Sequence, residues 1–466
     1  MPAGTGLVAD PSLQRRDEGR LLMGGAPLRF LRLSPAGARV VEDCLEGRPV
    51  AASAGAQRLA RRLIDAAVAH PVLPEPEADP PFTVVIPVRD DQAGLDVTMA
   101  ALDGRWPVVV VDDASAPPIC LPTSRSRPAG ATPVRLMRRE VAGGPGVARQ
   151  TALALVDTPL VAFVDAGVEL AADDLRRLGR WFADPTVVAA GPRVASRPGL
   201  GTLAAYEARR SPLDLGPNPS PVAPGRMVSY LPSAALAART AAVTAAGGFD
   251  PALRYGEDVD LVWRLGAAGT IRYDPDVVAF HPPRTTLAGF ARQRRGYGSS
   301  AAPLARRHGD RVAPVRLSGW SLACWALALA GRPFLAVGVA GGTAVALGRK
   351  LAPVLPDKGE CARLTFRGHW SAGGSLADAA VREWWPVTAL AALAGWRRPA
   401  LGLVALAAGR RWRSSKGRPA AERGVDLALG TLDNVAYGAG VWQGAWRARS
   451  LRCLLPRLTS WPGRQE

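Results

Sequence analysis

The sequence predicts an α/β protein, a doubly wound and largely parallel sheet with a small unit before it and a helical region after it. Three observations carry that prediction. Apolar runs recur at residues 82–88, 107–111 and 160–164, each continuous enough for a strand buried on both faces. Between the second and third runs, Gly143-Gly144-Pro145-Gly146 opens a helical stretch, so strand, helix and strand alternate. Third, the Pro-rich segment PVLPEPEADPP at 71–81 cannot be helical and sets what precedes it apart.

Taken in order, residues 1–14 are rich in Gly, Pro and Ser and are expected to be loose. Residues 15–73 read as a winged-helix-like unit. Two short strands flank Gly24-Gly25, a helix follows with Ser34 as N-cap and Pro35 at its first position, and a second helix covers 54–70. Residues 74–81 form the linker and 82–312 the sheet domain. Residues 313–466 are expected to be helical and apolar.

The chemistry concentrates at the predicted carboxyl ends of the strands, where ligands of doubly wound sheets bind. Asp112 or Asp113 ends the second strand and can accept hydrogen bonds from a ribose or a base. The glycine turn around Gly144 leads into a helix N-terminus suited to phosphate, with Arg149 nearby. Asp165, ending the third strand, can bind a divalent ion that bridges a diphosphate. Downstream, Glu257, Asp258 and Asp260 lie within four residues of one another at the start of an apolar helical run that includes Trp263. Unpaired N–H groups and the positive end of the helix dipole keep such carboxylates ionised, as a general base requires. Each signal alone has a plainer reading, a tight turn for the glycines and a helix cap for each aspartate.

As a set, VVIPVRD (84–90), VVVVDDAS (108–115), GGPGVARQTAL (143–153), VAFVDAGV (161–168) and GGFDPALRYGEDVDLVWRL (247–265) resemble family 2 glycosyltransferases of the GT-A fold. The resemblance implies an inverting transfer from a nucleotide-sugar, here a UDP-sugar and by expectation UDP-glucose, with Mg2+ or Mn2+ as cofactor. It places Pro87, Arg89, Asp112, Asp113, Gly144, Arg149 and Asp165 on the donor side. Asp165 becomes the metal ligand and Asp258 the base, with Glu257 beside it. Asp260, Trp263, Arg292 and Arg295 fall on the acceptor or diphosphate side. Two departures stand out. The usual Asp-x-Asp has Gly167 in its third position, so His281 is expected to supply a second metal ligand. Processive synthases carry Gln-x-x-Arg-Trp near residue 293, whereas Gln293 here is followed by arginines and no Trp. The stretches at 24–41, 256–265 and 292–309 also resemble the glycosyltransferases of mycofactocin systems. That likeness implies a small peptide-derived redox cofactor as acceptor, held with the help of residues 15–70.

Apolar runs at 317–331 and 334–348, and again at 387–395 and 399–409, are each shorter than the ~20 residues a spanning helix needs. Flanking Arg, Lys and Trp favour the surface of an anionic membrane. A formal charge of +18 also fits anionic partners. Five scattered cysteines without a CxxC pair argue against a zinc site or a disulfide framework, and no apolar run opens the chain. The expected location is the cytoplasm, at the inner face of the membrane. Two other readings are a membrane glycosyltransferase acting on lipid or polysaccharide, and a basic nucleic-acid-binding protein. Nucleic acid is the less expected partner, because the N-terminal unit lacks an interleaved basic and aromatic recognition helix.

Overall fold

A computed structural model describes residues 1–2, 4–121 and 132–460. It divides into two compact units, Met1–Pro283 and Arg284–Glu466. The first unit opens with β1 (Gly6–Ala9), then β2 (Gln14–Arg16), β3 (Leu21–Gly24) and β4 (Arg29–Arg32), the last three forming an antiparallel sheet. Helix α1 (Pro35–Leu45) starts where Ser34 Oγ accepts the Gly37 N–H at 3.1 Å. Helix α2 (Ala54–Asp65) is capped by Ser53. It stops short of the expected 70 because Ala67 turns to φ 54°, and His70 lies instead in β5 (Ala69–Val72). That strand pairs antiparallel with β1, Gly6 opposite Val72. The opening residues are therefore not loose. Their pairing partner lies some sixty residues downstream, beyond what local composition reveals.

Helix α2 docks this subunit of the fold onto the sheet domain. Arg61 Nη2 lies 2.6 Å from Asp184 Oδ2, and its Nη1 donates to Thr186 Oγ1 at 3.1 Å. The Pro-rich stretch is tied down as well, since Trp106 Nε1 donates to the Pro80 carbonyl at 2.9 Å.

The sheet domain runs through β6 (Phe82–Val88), α3 (Gln92–Leu102), β7 (Val108–Asp112), β8 (Val134–Arg138), α4 (Pro145–Leu153) and β9 (Leu160–Val164). It continues with α5 (Ala172–Leu178), β10 (Val187–Ser196), α6 (Thr202–Arg210), β11 (Ser220–Pro221), β12 (Ala235–Arg239), α7 (Thr240–Ala245), α8 (Glu257–Leu265) and β13 (Thr270–His281). Eight strands make one sheet in the order β11-β13-β10-β12-β9-β6-β7-β8. Strands β9, β6, β7 and β8 are parallel, while β12 runs antiparallel to both β9 and β10. Every residue of β6, β7 and β9 is buried, as continuous Val-rich runs require when both faces are covered. Phe82 packs edge-on against Trp106 and Phe182, and burying one such ring contributes roughly 1.5–3 kcal/mol. Because β6, β7 and β9 point the same way, their last residues and the start of α4 share one edge of the sheet.

The second unit is helical: α9 (Leu287–Ser299), α10 (Ala301–His308), β14 (Arg316–Leu317), α11 (Gly319–Leu329), α12 (Pro333–Leu351), α13 (Lys358–Val381), α14 (Trp385–Leu393), α15 (Arg397–Ser414), α16 (Ala420–Arg447) and β15 (Arg457–Leu458), which pairs with β14. Helix α9 lies against α16 at glycine contacts. A Cβ on Gly298 would fall 2.0 Å from the Tyr437 carbonyl oxygen, and one on Gly440 would fall 2.0 Å from that of Arg295. The basic segment grouped from the sequence with the sheet domain thus packs with the helices that follow it. One helix among the described residues, Pro333–Leu351, is long and apolar enough to cross a membrane.

Candidate active site

At the carboxyl edge of the sheet a single guanidinium gathers the acidic residues. Arg149, on α4, is 1% exposed. It donates through Nη2 to Asp165 Oδ1 and through Nη1 to Glu257 Oε1, the latter at 3.0 Å. Its charge also faces the Phe249 ring at 5.5 Å, and Phe249 stands edge-on to Phe163. The Gly248-Phe249 turn is fixed to α4 by the Phe249 N–H donating to Gln150 Oε1 at 2.7 Å. Helix α8 begins at Glu257 after Gly256 in the left-handed region, φ 75°, so Glu257 and Asp258 occupy its first turn. Asp258 accepts the N–H of Val259 at 2.8 Å and, more weakly, that of Ser233 at 3.4 Å. The neighbouring Ala234 carbonyl accepts the Asp165 N–H at 3.0 Å. One short loop, 233–234, therefore touches both aspartates.

Three carboxylates around one cation leave the cluster short of positive charge. Burial pushes the Glu257 carboxyl up to about 7, and Asp258 beside it adds to the rise while Arg149 opposes it. Burial also raises Asp258, against the pull of the Val259 N–H and Arg149. Both acids of the pair thus hold their protons to higher pH than free carboxyls do, Glu257 to about 7, which moves them toward the range in which a carboxylate serves as a general base.

The backbone of α4 makes room for this. A Cβ on Gly146 would come within 2.9 Å of Glu257 Cγ. Gly146→Ala is expected to push Glu257 off Arg149, lowering stability by about 1–3 kcal/mol and slowing turnover. Denaturant melts and initial rates on the same preparation check this.

Other residues singled out in the sequence have different partners. Asp112 is buried and accepts the N–H of Ser115 at 2.8 Å, that of Ile119 at 3.2 Å, and Arg138 Nη1 at 2.5 Å. Burial would raise its carboxyl, but these donors outweigh burial and hold it below the usual range. Asp113 accepts the Gly143 N–H at 2.9 Å and the Gly144 N–H at 2.7 Å, and pairs with Arg139. The glycine turn therefore aims these two donors at a protein carboxylate. Pro87 is buried in β6, and Arg89 is half exposed beside Asp90. Asp260 forms a two-pronged pair with Arg264 at 2.7 and 2.9 Å, and Trp263 Nε1 donates to the Ser229 carbonyl at 2.7 Å. Both face the packing of α8. Arg292 is exposed on α9, and Arg295 donates to Gln443 at 2.8 Å; both belong to the second unit.

Two contributors escaped the sequence reading. Ser233 gave no signal beyond the Pro232 break before β12. Thr98, fully buried on α3, donates to the Val168 carbonyl at 2.9 Å and accepts the Gly167 N–H at 3.0 Å, holding the loop that Asp165 begins. That loop reaches His281. Glu169 and Phe280 exchange two backbone hydrogen bonds of 2.9 Å, and Pro282 Cγ lies 3.4 Å from where a Cβ on Gly167 would sit. His281 Nδ1 is 2.7 Å from the Pro282 carbonyl, which accepts its proton and so fixes the ring's tautomer.

Residues 83–226 match the model of a family described as glycosyl transferase family 2. Over 481 aligned positions the chain is 36% identical to the pre-mycofactocin glycosyltransferase of Mycobacterium tuberculosis, in strains CDC 1551 and H37Rv alike, covering 98% of each chain. Among solved structures, a mannosyltransferase of Pyrobaculum calidifontis in complex with GDP-Man and Mn2+ superposes with a TM-score of 0.45 at 18% identity, over 81% of this chain and 90% of the other. TarS of S. aureus superposes with a TM-score of 0.34 at 18% identity, over 47% of this chain and 65% of the other.

Proposed function

This chain belongs to glycosyl transferase family 2, and on that premise we propose that it moves glucose from UDP-glucose, with inversion, onto a peptide-derived redox cofactor of the mycofactocin type or its precursor. The observation that carries the reading is Arg149 bridging Asp165 and Glu257 with Asp258 next on the same helix. The acceptor class is supported by the printed name of relatives alike in sequence over 98% of the chain.

In the reaction, the Asp258 carboxylate takes the proton of an acceptor hydroxyl. The alkoxide oxygen forms a bond to the anomeric carbon from the face opposite the nucleotide. The bond from that carbon to the diphosphate oxygen breaks, and its electron pair leaves with UDP. Glu257 and Arg149 hold the charge of the pocket steady while Asp258 gains a proton. A divalent cation, when bound, offsets the charge of the departing diphosphate.

Asp165, and by expectation His281, would hold such an ion. Asp165 is 30% exposed and pairs with Arg149 through its other oxygen. His281 stands at the end of the same loop system. Among the described residues no group of three Asp, Glu, His or Cys side chains is arranged to hold a metal ion, so substrate oxygens would complete the shell, as Mg2+ sites commonly require. Gly167 adds no ligand, and its φ of 87° disfavours an aspartate there.

Asp165→Asn is therefore expected to weaken UDP-glucose binding more in the presence of Mn2+ than in its absence. Calorimetric titration with and without the metal reads the difference, and equal affinities for the two proteins would count against the assignment. Incubating the wild-type protein with labelled UDP-glucose and either a mycofactocin precursor or a lipid extract tests the acceptor. Label appearing only in lipid would favour the membrane-acceptor reading. The location proposed is the cytoplasm, in keeping with five cysteines that form no disulfide.

A further inference from the structure

The second unit carries two helical hairpins that end in the same kind of tip. Leu329-Ala330-Gly331-Arg332-Pro333 turns α11 into α12, and Leu393-Ala394-Gly395-Trp396-Arg397-Arg398-Pro399 turns α14 into α15. In each the glycine takes a left-handed conformation, φ 75° at Gly331 and 97° at Gly395. The tips are neighbours, because Leu329 Cδ2 lies 3.9 Å from where a Cβ on Gly402 would be. Around them large apolar side chains point outward. Phe334 is 90% exposed, Leu393 79%, Trp396 67% and Leu401 61%. Folding normally removes such a cluster from water, and its persistence marks a contact surface.

The charge of these hairpins indicates what covers them. No Asp or Glu occurs between residues 311 and 356 or between 384 and 421, while Arg332, Arg397 and Arg398 sit at the tips. Apolar side chains beside a Trp and arginines, without acids, match the boundary of an anionic bilayer, with the aromatic ring at headgroup level and the cations on lipid phosphates. We propose that the paired tips of the α11–α12 and α14–α15 hairpins dip into one leaflet of an anionic membrane and hold the enzyme there without crossing it. This inference does not depend on the transfer reaction.

Length decides against crossing. Helix α11 has 11 residues and α14 has 9, about 16 and 14 Å at ~1.5 Å per residue, against a hydrocarbon core of ~30 Å. Helix α12 has 19 residues, but its hairpin enters and leaves from one side. Val315 and Leu317, just before α11, pack in the same cluster as Ala372 and Leu376 of α13, which follows α12.

The test is flotation of the full-length protein with vesicles of phosphatidylcholine alone or mixed with phosphatidylglycerol. Flotation with the mixed vesicles, weakened by salt, is expected. Arg332→Gln and Arg397→Gln should each lower vesicle affinity about fivefold. Phe334→Glu combined with Leu393→Glu should abolish flotation, with the circular-dichroism melt unchanged. Lipids brominated near the headgroup should quench Trp fluorescence, and Trp396→Phe should remove most of that quenching. The proposal is overturned by no flotation with either vesicle, or by flotation that survives the double variant. It is equally overturned by retention through alkaline carbonate washing, which would mean a span. A dimer that the double variant dissolves in a protein without vesicle affinity would make the tips an interface between copies, and would overturn it too.

Discussion

Replacing Asp258 with Asn is expected to slow transfer about a thousandfold, the contribution of a well-placed general base, while UDP binds as before. The side chain keeps its size and its bond from the Val259 N–H at 2.8 Å, so helix α8 still starts correctly. Only the ability to take a proton is lost. Single-turnover rates with UDP-glucose, set beside UDP titration, separate the two effects. Full activity in the variant would move the base to Glu257. The wild-type rate should climb as pH rises above the ordinary carboxyl range, because burial raises Asp258 and lifts its neighbour Glu257 to about 7. Stability should run the other way. Folded Glu257 keeps its proton to higher pH than it does in the unfolded chain, so its contribution is complete below the ordinary carboxyl range and is lost as pH rises through about 7. Melting curves across that range should flatten in Glu257→Gln.

Arg149→Met should be the most destabilising single change in the site. It removes the counter-charge of Asp165 and Glu257 together and leaves Glu257 buried beside Asp258. Breaking a buried pair from one side costs roughly 3–5 kcal/mol. Arg149→Lys should recover only part of this, because one ammonium cannot reproduce a planar fork set between two carboxylates. Combining Arg149→Met with Glu257→Gln should restore stability but not turnover. Denaturant unfolding of the three variants checks the ordering. If Arg149→Met matched the wild type in stability, the guanidinium would not be what assembles the site.

Much of this arrangement can be read in the chain. Val-rich runs announce β6, β7 and β9, and the acidic cluster after Gly256 announces the first turn of α8. The geometry behind Arg149 was less accessible, because its two partners lie 16 and 108 residues away. Asp112 and Asp113 show where pattern reading stops. An aspartate ending a strand can face a ligand or its own backbone, and the letters are the same in both cases. Here Ser115, Ile119 and the Gly143-Gly144 turn take those oxygens. The Asp260–Arg264 spacing of four did contain its answer, an ion pair along one helix face. The early strand β1 did not, since its partner β5 lies beyond two helices.

The loop after Asp165 bears on how this enzyme can change over generations. With Gly167 at φ 87° and Pro282 closed over it, a mutation that wrote a second aspartate into that position would meet backbone strain of about 1–3 kcal/mol before it gained any ligand. A descendant would first have to loosen the Pro282 segment packed against it. A single codon change that supplied the carboxylate would therefore not by itself supply a ligand.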